Sequence, residues 1–104
     1  MPKAFITNKS GEKIVIANSD ETIHIEGNHY FPPDSVNNKY LVDSDTHTTC
    51  FWKGESSYKT IKAGEQEQLD AVWYYPKPMK GAIDRVGKDF SSYYAFWQGV
   101  EVEE

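Results

Sequence analysis

The run Asp45-Thr46-His47-Thr48-Thr49-Cys50-Phe51-Trp52-Lys53-Gly54, closing at Tyr58, decides how this chain is read. It places the only cysteine, one of three histidines, a tryptophan and a lysine within a few residues, and a glycine ends it. Read as a strand, it sends His47 and Lys53 to the face opposite Cys50, because each lies three residues away and side chains alternate. Thiol, imidazole and amine then do not converge, unless a turn breaks the strand.

Outward from that run the chain reads mostly as strand. Ala4 to Thr7 and Lys13 to Ala17 are rich in β-branched or aromatic residues, and Asn8-Lys9-Ser10-Gly11 between them is turn chemistry. In Thr22-Ile23-His24-Ile25-Glu26 the two isoleucines alternate with polar neighbours, the period of a half-buried strand. Tyr30-Phe31-Pro32-Pro33-Asp34 breaks the pattern, with Asp34 or a neighbour placed to cap one helical turn through Val36 to Lys39. Ser56 to Lys62 and Leu69 to Tyr75 are further strands about the turn Ala63-Gly64-Glu65, with Trp73 facing away from Val72 and Tyr74. Pro76 and Pro78 end the second. Met79, Ile83, Val86 and Phe90 recur at helical spacing and predict one short helix over residues 79–90, weakened by Gly81 and Gly87 at about 1 kcal/mol each. Tyr93 to Trp97 and Val100 to Val102 finish as strand, and the tail Glu103-Glu104 is expected to fray. Short strands, frequent turns and one helix imply a mainly β, antiparallel, two-sheet or open-barrel fold.

The 104 residues suit a single domain spanning 1–104. Hydrophobic content is a lean 38%, but 14% aromatics offset it, each ring bringing roughly 150–250 Å² of buriable surface. Eleven basic against sixteen acidic side chains give −5, with no basic stripe, so nucleic-acid binding lacks its main driving force. Met1-Pro2-Lys3-Ala4-Phe5 has no apolar leader core, and no apolar run approaches the roughly 20 residues of a membrane span. One cysteine cannot form an internal disulfide. The expectation is a cytoplasmic protein with no membrane or nucleic-acid partner; nothing in the chain specifies an oligomeric state.

Three further stretches join the opening run: Gly27-Asn28-His29-Tyr30-Phe31-Pro32-Pro33, Ala71-Val72-Trp73-Tyr74-Tyr75-Pro76, and Tyr93-Tyr94-Ala95-Phe96-Trp97 with Val100. In this order they resemble the bacterial family known as domain of unknown function 427, sometimes labelled nucleotidyltransferase-like, over nearly the whole chain. The resemblance implies kinship with the β-tent fold of Mss4-type proteins, methionine sulfoxide reductase B and the drug-binding domain of cereblon. That kinship implies two pinned antiparallel sheets with a pocket between them. Two features depart from the family pattern: Phe51 stands where proline is usual, and residues 79–89 are a few longer than the common helix. Relatives of the β-tent often hold zinc with two Cys-x-x-Cys pairs, and one cysteine cannot supply that site.

Several chemistries compete for these residues. Cys50 serves as a nucleophile only with a depressed pKa, and otherwise as a small buried hydrophobe. His47 and Cys50 with Asp43 and Asp45 would need His24 or His29 to complete a zinc set, and the spacing does not demand it, so no metal or cofactor is expected. Asp43-Ser44-Asp45 resembles the paired carboxylates that hold magnesium in nucleotidyltransferases, but no Gly-Ser partner or Gly-rich phosphate loop accompanies it. The stronger constellation is aromatic: Trp52, Tyr58, Trp73 and Tyr30, with Tyr75, suit either the wall of an apolar pocket or the core of a small β domain. Lys53 and Cys50 would stand at the edge of such a pocket. Lysine is seldom buried without a partner, and Gly54 beside it permits a bulge or a close backbone approach. The expected function is binding of a small molecule in this pocket. A nucleotidyltransferase-like or thiol-dependent enzyme and a protein-interaction module are the alternatives.

Overall fold

The computed structural model describes residues 1–104. Its elements in chain order are β1 (Lys3–Thr7), β2 (Lys13–Asn18), β3 (Ile23–Ile25), β4 (Asn28–Tyr30), β5 (Leu41–Cys50), β6 (Gly54–Ala63), β7 (Gln66–Tyr74), α1 (Lys80–Val86), β8 (Ala95–Phe96) and β9 (Glu101–Glu103). The strands form three antiparallel sheets rather than two: β2-β1-β9, the hairpin β3-β4, and β5-β6-β7-β8.

Local chemistry explains the turns. Asn8 folds β1 onto β2 because its Oδ1 accepts from the backbone N–H of Ser10 (3.0 Å) and of Glu12 (2.9 Å). Glu26 and Gly27 form a two-residue hairpin loop with both φ values positive, 53° and 83°, as a type I′ turn requires. Residues 51–53 are a three-residue turn joining β5 to β6, so the opening run is not one strand.

The helix is shorter than its apolar spacing suggests. Lys80–Val86 stops because Gly87 adopts a left-handed φ of 88° and donates its N–H to the Ile83 carbonyl at 2.8 Å. Phe90 therefore lies beyond the helix, although it is fully buried. Gly87→Ala forces a Cβ into that conformation and should cost about 1–2 kcal/mol, seen as a lower melting temperature; an unchanged melt would refute this account of the helix end. The turn expected over 36–39 is instead two 3-10 turns, Pro33–Ser35 and Asn38–Tyr40, neither with a side-chain cap on its backbone. The expected strand over 93–97 is confined to Ala95 and Phe96, because Ser92 (φ 60°) and Gln98 (φ 46°) turn the chain on either side. Glu103, expected to fray, pairs with Lys3 in β9, and its carboxylate faces the ammonium groups of Lys3 (3.4 Å) and Lys13 (3.8 Å).

Two apolar clusters hold these sheets together. Phe31, Ile6, Ile16, Ile61, Val72 and Phe96 centre the larger. The smaller gathers Ile23, Ile25, Tyr30, Tyr75, Ala82 and Phe90, and so joins the β3-β4 hairpin to α1. Strand β7 serves both: Val72 and Tyr74 pack on the first and Trp73 on the second, the alternation its sequence shows. No helix is long and apolar enough to cross a membrane.

Candidate functional site

Lys53 is the side chain that most needs explaining, because it is 6% exposed. It leaves the β5-β6 turn inward, and the Lys53 carbonyl accepts from the Met79 N–H at 2.9 Å, tying the turn to the start of α1. Its Nζ donates to Oε1 of Glu26, which reaches across from the β3-β4 turn, and lies 5.3 Å from the ring centres of both Trp52 and Tyr75. Burial pulls the ammonium pKa down, but the Glu26 hydrogen bond and the neighbouring phenols of Tyr30 and Tyr75 outweigh it and hold it above the ordinary lysine value. Lys53 is thus a fixed cation at neutral pH, not an amine free to attack a carbonyl.

Gly54 has a φ of 114°, which is why glycine follows Lys53. The close neighbours of that backbone are Lys77 and Met79 rather than open space for a ligand.

The aromatic residues divide into floor and wall. Tyr58 and Trp73 sit directly opposite in the β6-β7 register and so share a face. With Tyr75, Trp97 and Lys53 they line an open concavity of about 220 Å³. Trp97 packs edge-on against Trp73, ring centres 5.8 Å apart, and its Nε1 donates to the Asp70 carbonyl at 2.7 Å. The Trp73 Nε1 donates to the Tyr30 hydroxyl at 3.0 Å, which fixes the indole's tilt. Burial raises the phenol pKa of Tyr75 to about 12, helped by Tyr30 beside it; Lys53 opposes the rise. Tyr30 is raised for the same first reason. Both phenols stay neutral at physiological pH and offer hydrogen-bond donors, not bases.

Of the residues singled out in the sequence, the structure brings Lys53, Tyr58 and Trp73 to one concavity. Tyr30 is 1% exposed and lies in the cluster behind Trp73. Trp52 is half-buried and does not line the concavity; its ring lies 5.3 Å from Lys53 Nζ and 4.6 Å from the Arg85 guanidinium. Cys50 is half-buried against the smaller cluster and does not line the concavity. Trp97 and Tyr75 complete it. Trp97 enters because β8 pairs with β7, a long-range contact that no local pattern announces.

The other candidate chemistries are dispersed. The Asp43 carboxylate meets Lys59 Nζ at 3.1 Å, while Ser44 and Thr46 donate to the carboxylate of Asp70. Those two hydrogen bonds hold the Asp70 carboxyl below the usual range. The segment Asp43 to Asp45 is thereby built into an irregular stretch of the β5-β6 pairing, not into a facing pair of carboxylates. His47 shares a hydrogen bond with Ser57 at 3.0 Å, and no third group extends it into a relay. A larger hollow of about 400 Å³ between the β1-β2 and β6-β7 turns is lined chiefly by polar turn residues such as Asn8, Lys9 and Glu65, with no buried charge.

A search of curated proteins finds no match for the chain. The sequence model described as "Domain of unknown function (DUF427)", NTP_transf_9, matches residues 10–104. With nearly all of its length covered, the chain belongs to the DUF427 family.

Proposed function

We propose that the protein binds a small molecule carrying a flat apolar ring and a hydrogen-bond acceptor, in the concavity walled by Tyr58, Trp73, Tyr75 and Trp97. The observation that carries this reading is the convergence of four aromatic side chains on a buried, charged lysine. Rings supply contact area at small conformational cost, and one fixed polar group orients what enters. At about 220 Å³ the hollow suits a single ring rather than a nucleotide. The raised phenol pKa of Tyr75 supports a neutral donor beside the ammonium. The β3-β4 hairpin, tied to the four-stranded sheet through Tyr30 and Trp73, further supports a β-tent arrangement as the frame of the site.

The test is a fragment screen read by tryptophan fluorescence. Planar acceptor-bearing compounds should shift the emission and compete with one another. Tyr58→Ala, at a half-exposed wall position, should abolish the response while the far-ultraviolet circular dichroism stays that of the parent. A response identical in Tyr58→Ala and the parent would falsify this location for the site.

A further inference from the structure

The structure points to a second site, away from the aromatic concavity: we propose that His24, His29 and Glu104 bind a late first-row divalent metal ion such as Zn²⁺. The hairpin creates the pair. With Glu26 and Gly27 as its two-residue loop, Ile23 meets Tyr30, His24 meets His29 and Ile25 meets Asn28. Ile23, Ile25 and Tyr30 are buried, and the two imidazoles stand side by side on the opposite face. The turn brings together what the sequence keeps five residues apart.

The donor geometry fits an ion. His24 Nε2 lies 3.0 Å from His29 Nε2, and His29 Nε2 lies 3.6 Å from Glu104 Oε1. All three donor sets fall within 4.8 Å of one another. A tetrahedral zinc with bonds of about 2.0–2.1 Å holds its ligand atoms about 3.3 Å apart, so the two short edges bracket the required length. Two imidazoles and a carboxylate are a zinc donor set that leaves a fourth position for water.

The surroundings prepare His29 for this role. His24 Nε2 lies 2.9 Å from His29 Nδ1 as well as 3.0 Å from its Nε2, and the Thr22 hydroxyl, 2.8 Å from Nδ1, can accept the Nδ1 proton and so free Nε2 as the ligating nitrogen. A hollow of about 330 Å³ bordered by Thr22, His24, Val86 and Lys88 opens beside His24.

Calorimetric titration of the tag-free chain with Zn²⁺ tests the proposal. The parent should bind one equivalent saturably, and Co²⁺ in its place should give visible ligand-field bands. His24→Asn, at an exposed position, should lose the saturable site with an unchanged thermal melt in chelator. Glu104→Gln should weaken binding while keeping one equivalent. His47→Asn, whose ring bonds Ser57 on β6, should titrate like the parent. No saturable binding by the parent, an unaltered titration for His24→Asn, or loss on changing His47 would each overturn the site.

Discussion

Replacing Phe90 with alanine should destabilise the protein by about 3–5 kcal/mol, the cost of deleting a buried ring and leaving a cavity. Phe90 is fully buried, and its ring meets Tyr30 and Tyr75 edge-on, with centres 6.1 and 5.9 Å apart. It therefore supports Tyr75 in the wall of the candidate site and Tyr30 behind it. Because Phe90 lies after Gly87, beyond the helix, the substitution removes packing without altering helix propensity. Against a total of about 5–15 kcal/mol for a domain of this kind, the loss is a large share of the stability. The urea midpoint should fall steeply with little change in slope, and Phe90→Leu, which refills most of the volume, should cost about 1–1.5 kcal/mol. An alanine variant within about 1 kcal/mol of the parent would show that the smaller cluster does not depend on this ring.

Glu26→Gln should be the most damaging single change in charge, lowering stability by about 1–3 kcal/mol at neutral pH. The substitution leaves Lys53 buried among rings with no carboxylate. The upper end for breaking a buried pair does not apply, because the Glu26 side chain is 54% exposed and solvent screens it. In the parent the folded lysine pKa lies above its unfolded value, so the pair's stabilisation is complete at neutral pH and is lost only as pH rises through that elevated value. Without Glu26 the remaining support comes only from the Tyr30 and Tyr75 phenols, which stay neutral up to their own raised pKa, so burial should set the folded value below the unfolded one. The variant then recovers stability as pH climbs toward about 10, where the folded lysine sheds its proton first. The gap between the urea midpoints of variant and parent should narrow from pH 7 to pH 10. A constant gap would mean that the cost comes from the turn and not from the charge. Glu26→Asn separates the two further, since asparagine favours the positive φ of the loop yet cannot reach Lys53 as a carboxylate.

The family and most of the strand positions were legible in the sequence, and so were the two faces of β7, because alternation and turn chemistry act over a few residues. The β4 strand was not. Its partner turn, Glu26-Gly27, lacks the asparagine or aspartate that usually marks a type I′ hairpin. Reading Gly27 as the second loop residue was the available signal, and it would have paired His24 with His29. The helix end was also within reach. Gly87 lowers helix propensity, and directly after Val86 and before Phe90 it also marks a left-handed stop.

The opening run shows where sequence ends and tertiary structure begins. Alternation along Asp45 to Gly54 does not decide where the cysteine and the lysine go, because a three-residue turn interrupts the strand; packing sets Cys50 against the smaller cluster and Lys53 in the concavity. Nothing local to that run places Lys53 against Glu26, twenty-seven residues away, or Trp73 against Tyr30, forty-three residues away. Propensity and periodicity depend on near neighbours. Which face meets which depends on burial summed over the whole chain, and loop closure adds little more cost for a distant partner than for a near one. The sequence by itself determined a β-rich DUF427 chain with an aromatic-rich segment and one unexplained lysine. Only the folded packing decided which rings share a hollow with that lysine, and which histidines stand together.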